Sequence, residues 1–170
     1  LQIQCLKSTC NKPTELYSKY SIGPFIKGQS VTIGNTLRRV LLSNLQGLAI
    51  TGVHIKGTAH EFSSVPNVKE DVIDILLNLK QIILKGNITE PVLARISTKE
   101  AGIIIASDIA FPNNITVVDP NQYIMSLTNK ESLEMELLIA KGQSYLISEK
   151  LKCTIPVSYT HLTLPTKCSV

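Results

Sequence analysis

Apolar positions recur along this chain with two different periods, and the change from one to the other organises it. Ile33, Leu37, Val40, Leu41 and Leu45 fall at helical spacing within and beside GNTLRRVLLSNLQG, Gly34–Gly47, so they mark one apolar face of a helix. Thr32 is a suitable N-cap for it, and Gly47 a suitable residue just past its end. A second, more strongly written helix follows Pro66. Asn67 can cap it, Glu70 three residues on completes a capping-box pattern, and Val68, Val72, Ile75, Leu76, Leu79 and Ile83 carry the apolar stripe. Lys80 and Lys85 sit toward the negative end of its dipole, and Gly86 is its expected stop.

Elsewhere the period is close to two. YSKYSIGP, Tyr17–Pro24, and LAITGVHIK, Leu48–Lys56, alternate as strands on either side of the first helix. After Gly86 come VLARIST, GIIIASDIA, ITVVD, YIMSLT and LEMELLIA, short β-rich runs separated by turn signals at Pro112-Asn113-Asn114 and Asp119-Pro120-Asn121. The order strand, helix, strand, helix, several strands predicts an α+β fold.

Size and composition narrow this little further. The 170 residues are 44% hydrophobic and 18% charged, values of a folded chain rather than a disordered one. Tryptophan is absent and only eight residues are aromatic, which argues against an aromatic-lined pocket or a base-stacking surface. The net charge of +4 is mild, and no Lys or Arg run resembles a nucleic-acid stripe. Cys5, Cys10, Cys153 and Cys168 lack the paired spacing of a zinc site, and a core of this size needs no disulfides, which fits a reducing compartment. No apolar run reaches membrane-spanning length, and the N-terminus lacks the composition of a signal or transit peptide.

Candidate chemistry is sparse. His60-Glu61 could hold a general base, yet no Ser or Cys nucleophile partners it, so a polar pair orienting a loop is favoured. Glu70, Asp71 and Asp74 read as surface charge on the second helix rather than as Mg²⁺ ligands. KGQS occurs at Lys27–Ser30 and again at Lys141–Ser144 without phosphate-loop glycine spacing, and both copies read as turns. The residues alone therefore describe a non-catalytic α+β protein, with no cofactor and no metal site. Arg38 and Arg39 stand about 100° apart on the first helix and remain unexplained by that reading.

The order of motifs supplies a partner for them. TIGNTLRRVLLSNLQG, then AITGVHIKGTAHEFSSVPNVKEDVIDILLNLKQI, resembles the amino-terminal domain of the bacterial and plastid RNA polymerase alpha subunit. Its marks are a G-N-x-L-R-R helix, then H-E-[FY]-S, then E-D-V-x-[DE]-I-L-L-N-L-K, and the likeness extends over roughly residues 17–145. The resemblance implies a dimerisation subdomain at 17–46, here strand and helix only, and an inserted, mostly β subdomain at 47–150. It implies a non-catalytic subunit of a DNA-directed RNA polymerase, a nucleotidyltransferase, that pairs with a second alpha subunit and then captures beta and beta-prime. Leu37, Val40 and Leu41 would supply the core and the alpha–alpha contact. Arg39 aligns with the family arginine that holds beta, and Leu42 with its apolar neighbour; a guanidinium fork suits a carboxylate or carbonyls at a partly dry surface. His60 and Glu61 fall in the loop on the beta-facing side. Lys80 aligns with the lysine associated with beta-prime, against the plain alternative of a helix C-terminal charge. Arg38 is assigned to structure.

The sequence departs from the family after the insert. The returning half of the dimerisation subdomain and the helical DNA-binding domain do not follow, so DNA contact is expected only through a domain missing here. Residues 151–170 are unassigned, and from about Pro156 they read as a translated adaptor. A half-built dimerisation subdomain is expected to leave Leu37, Val40 and Leu41 exposed and the chain poorly soluble; cooperative unfolding of a well-packed monomer would contradict that. Residue usage favours a plastid, with a bacterial cytoplasm as the alternative and no membrane association. The rival functional readings are a free-standing α+β protein-binding module and, more remotely, a small hydrolase using His60 and Glu61.

Overall fold

The computed structural model describes residues 1–12, 14–58, 64–130, 132–144 and 160–161. It divides into two compact units, Leu1–Leu45 and Gln46–Val170.

The first unit is a hairpin followed by a helix. Strand β1 (Gln2–Lys12) pairs antiparallel with β2 (Glu15–Gly23), with irregularities at Cys5/Lys7 and Cys10/Lys12. Helix α1 spans Gln29–Asn44. It begins four residues before the start expected after an N-cap at Thr32, because Gly28 turns the chain in the left-handed region (φ 92°), and the Gln29 amide donates to the Ile26 carbonyl at 3.0 Å. Thr32 instead accepts from Thr36 Oγ1 inside the helix, at 2.9 Å. None of the described residues in this unit is buried.

The second unit carries the hydrophobic core. Its main sheet runs β5 (Val92–Thr98), β9 (Leu133–Gln143), β3 (Gln46–Ile55), β4 (Leu84–Gly86), β7 (Ile115–Val117), all pairs antiparallel. Thr160–His161, as β10, pair with β3 at Val53 and Gly52. A two-stranded sheet, β6 (Gly102–Ile105) with β8 (Tyr123–Leu127), lies in the same unit, and helix α2 (Val72–Lys80) packs on β8 and β3. Val72, Ile75, Leu76 and Leu79 of α2 enter one core with Val53, Ile55, Ile96, Ile124, Met125, Met135, Leu137 and Ile139. The alternation in LEMELLIA explains the inward set of β9: every second residue from Leu133 to Ile139 is buried. The register of β3 on β9 slips between Ile50 and Gly52, leaving Thr51 as an extra, fully buried residue whose hydroxyl donates to the Leu138 carbonyl at 3.2 Å.

Helix α2 corrects the sequence expectation in both directions. It starts after Asp71, not after Asn67, and ends at Lys80, well before Gly86. Asn67 takes a left-handed turn conformation (φ 62°), and Val68 bridges to Leu127 instead of beginning the helix. The Gln81 and Ile82 amides close the last turn on Asn78 and Leu79, so Lys85 and Gly86 are free to form β4. Gly86 is required by contact: a Cβ there would lie 2.3 Å from the Asn114 carbonyl oxygen.

Candidate protein-interaction surface

Helix α1 presents two separate faces. At 3.6 residues per turn, Leu37, Val40 and Leu41 fall within about 100° of arc, while Arg39 and Leu42 lie on another side, about 60° from each other. All are open: Leu37 is 44% exposed, Val40 45%, Leu41 56% and Leu42 57%. Both arginines are exposed, and neither enters an ion pair among the described residues. The Arg39 carbonyl is held by Ser43 Oγ at 2.7 Å, which leaves the guanidinium as that residue's outward chemistry. The apolar stripe expected from periodicity is thus present as a stripe, with no covering layer in the described structure.

Lys80 stands as the last residue of α2, exposed, where the helix carbonyls favour a cation. Leu37, Val40, Leu41, Arg39 and Leu42 therefore share α1, and Lys80 lies in the second unit. His60 and Glu61 lie outside the described residues.

The start of α2 is set by a carboxylate clamp that sequence reasoning missed. Glu70, expected to cap the helix backbone, instead accepts from the Ser126 amide at 2.8 Å, from Ser126 Oγ at 2.9 Å and from the Tyr123 hydroxyl. Beside it the Lys69 amide donates to the Ser126 carbonyl at 3.1 Å, the Thr128 amide to the Asn67 carbonyl at 2.8 Å, and Asn129 Nδ2 to Asn67 Oδ1 at 2.8 Å. Partial burial by itself pushes the Glu70 carboxyl up, but the Tyr123 and Ser126 hydrogen bonds together outweigh it and hold the group below its ordinary value. Burial and the bond to Glu70 push the Tyr123 phenol up. Nothing in the local sequence signals these partners, since Glu70 and Ser126 are 56 residues apart.

The outer face of the main sheet carries a second cluster. Register sets His54, Glu136 and Arg95 in one row across β3, β9 and β5. Lys56 Nζ meets Glu134 at 2.9 Å, and Arg95 meets Glu136 at 3.1 Å, beside a shallow hollow of about 480 Å³. The hydrogen bond between them raises the Lys56 pKa and lowers that of Glu134. The Lys56–Glu134 pair is open to solvent and the Arg95–Glu136 pair partly so, and the two act as a cross-strand ladder. Among the described residues no three His, Cys, Asp or Glu side chains are grouped to hold a metal ion, and no helix is long and apolar enough to cross a membrane.

Comparison with known proteins gives one consistent answer. The family described as RNA polymerase Rpb3/RpoA insert domain matches residues 53–160. The chain is 48% identical over 155 residues to a DNA-directed RNA polymerase subunit alpha of Emiliania huxleyi, covering 91% of this chain and 50% of that protein. It is 45% identical over 159 residues to the subunit of that name from Cyanidium caldarium, covering 94% and 51%. With the Synechocystis subunit alpha it shares 42% over 151 residues, covering 89% and 48%. The chain spans about half the length of the curated relatives it matches.

Proposed function

Because this chain belongs to the RNA polymerase Rpb3/RpoA insert-domain family, we propose that it is the amino-terminal assembly region of the alpha subunit of a DNA-directed RNA polymerase. In this reading it is a non-catalytic part of that nucleotidyltransferase. Leu37, Val40 and Leu41 face a second alpha subunit, and Arg39 with Leu42 grips beta, the partner that the resemblance also assigns to His60 and Glu61. Lys80 faces beta-prime. The observation that carries the reading is the division of α1 into an open apolar stripe and a separate Arg39–Leu42 side, two docking chemistries on one exposed helix. The stripe suits a partner that supplies an apolar layer, and the arginine suits a carboxylate or carbonyl cluster.

The test is capture of the beta subunit by the full-length alpha subunit in co-expression. Arg39→Ala should lower capture at least tenfold while the alpha dimer persists; capture at the parental level would remove Arg39 from the interface. Relatives from algae and cyanobacteria support a plastid as the compartment of this protein.

A further inference from the structure

The two units of this chain differ in charge. Residues 1–45 hold Lys7, Lys12, Lys19, Lys27, Arg38 and Arg39 against Glu15 alone, a formal +5, whereas residues 46–170 sum to −1. Register shows where that excess is least compensated. Across β1 and β2, Gln4 stands opposite Ser21, Lys7 opposite Lys19, and Thr9 opposite Tyr17. Side chains alternate along β2, so these three pairs share one face, and the Ser8–Ser18 hydroxyl contact at 3.1 Å belongs to the other. Lys7 and Lys19 are therefore like charges placed directly opposite, a pairing that destabilises a sheet when nothing neutralises it. Both are exposed, and neither enters an ion pair among the described residues. Glu15, the one acid of this unit, stands at the turn end of the hairpin, opposite Lys12. The main sheet of the second unit does the reverse, setting Lys56 against Glu134 and Arg95 against Glu136.

We infer that this face of the hairpin docks an acidic, extended segment of another protein, with a carboxylate seated between Lys7 and Lys19. Charge complementarity selects the partner: a carboxylate there turns a repulsive pair into two attractive ones. The flanking groups, Gln4, Ser21, Thr9 and Tyr17, are neutral and form hydrogen bonds, so they suit the amides and carbonyls of an extended chain. A nucleic acid fits less well. Duplex DNA carries a charge about every 1.7 Å of its axis, and one lysine pair bordered by neutral groups matches a single acidic position rather than a lattice of phosphates. Glu15 lies on the same face four residues from Lys19, about 13 Å along the strand. It repels carboxylates at the turn end and confines them to the lysine pair. None of these residues is one to which the resemblance assigns a partner.

The experiment titrates the full-length alpha subunit into a fluorescein-labelled peptide of alternating glutamate and serine at low ionic strength, read by fluorescence anisotropy. A short duplex DNA with the same label is titrated in parallel. Lys7→Gln combined with Lys19→Gln should weaken peptide binding about five- to tenfold. Lys7→Arg combined with Lys19→Arg, which keeps both charges, should retain it. Lys27→Gln, in the same unit but outside the hairpin strands, should leave it unchanged. Lys19→Gln alone should leave Tm unchanged or raise it, because it removes a repulsion, which separates lost binding from lost folding. A parent that fails to bind the peptide, a double glutamine variant that binds it as the parent does, or an equal loss in Lys27→Gln would overturn the inference. So would a loss in the double variant that falls on the duplex and spares the peptide, since the face would then be a nucleic-acid surface.

Discussion

Removing the Glu70 carboxylate should destabilise the chain in a way that acid abolishes. Three hydrogen bonds end on this one group, from the Tyr123 hydroxyl and from the Ser126 amide and hydroxyl. A hydrogen bond to a charged group contributes about 1.5–3 kcal/mol when well shielded. Glu70 is half-buried and Tyr123 is exposed, so solvent screening reduces each bond to about 0.5–1 kcal/mol. Glu70→Ala should therefore cost about 2 kcal/mol, and Glu70→Gln about 1 kcal/mol, because the amide oxygen still accepts one bond. In a chain of this size 1 kcal/mol shifts Tm by about 2–4 °C. The pH dependence has a definite sign. The folded pKa of Glu70 lies below the unfolded value, so its contribution is complete above the unfolded pKa and is lost as pH falls through the folded one. The stability gap between parent and Glu70→Gln, measured by urea unfolding with far-ultraviolet circular dichroism, should begin to close as pH falls into the ordinary carboxylate range, about pH 4–5, and go on closing below it. A double-mutant cycle with Tyr123→Phe should give a coupling of about 0.5–1 kcal/mol. Parental stability of Glu70→Gln at neutral pH, or a gap that stays constant on acidification, would refute this account of the clamp.

The remaining predictions separate the two units. Leu79→Ala, at a fully buried site, should cost about 2–5 kcal/mol in urea unfolding, whereas Leu37→Ala on open α1 should stay within about 0.5 kcal/mol in the same assay. Gly86→Ala should lower Tm, because its methyl would meet the Asn114 carbonyl at 2.3 Å; unchanged Tm would show that this turn can yield. Lys56→Gln should leave the denaturation midpoint unchanged, since the Lys56–Glu134 pair is solvent-exposed. Tyr123 adds an alkaline counterpart to the Glu70 effect. Its folded pKa is raised, so its contribution is complete below the unfolded phenol pKa and lost as pH rises through the folded one, and Tyr123→Phe should remove that loss in alkaline unfolding curves.

The α+β class and most strands of the second unit were legible in the chain because their signal is local, whereas β1 was not foreseen and the Lys141–Gln143 end of β9 was expected to be a turn. VLARIST is β5 residue for residue, LAITGVHIK overlaps β3, and the alternation of LEMELLIA shows which side chains of β9 face inward. The order of motifs around Arg39, Leu42 and Lys80 was equally readable, and the match at residues 53–160 places the chain in the family that this order suggested. The start of α2 was not readable. Asn67, Pro66 and Glu70 form a sound local capping signature, yet residues Asn67–Lys69 bond β8 and its adjoining turn, and Glu70 satisfies Ser126 and Tyr123 rather than the helix backbone. Gly86 likewise reads as a helix stop, and only the approach of Asn114 shows it to be a crowded strand residue. Sequence by itself determined which segments extend, which coil and which faces are apolar, since these follow from periodicity within a few residues. The tertiary structure decided which apolar faces are covered, which carboxylate holds α2 and where that helix begins. Those outcomes depend on groups dozens of residues apart meeting across a fold, and a local pattern carries no record of such partners.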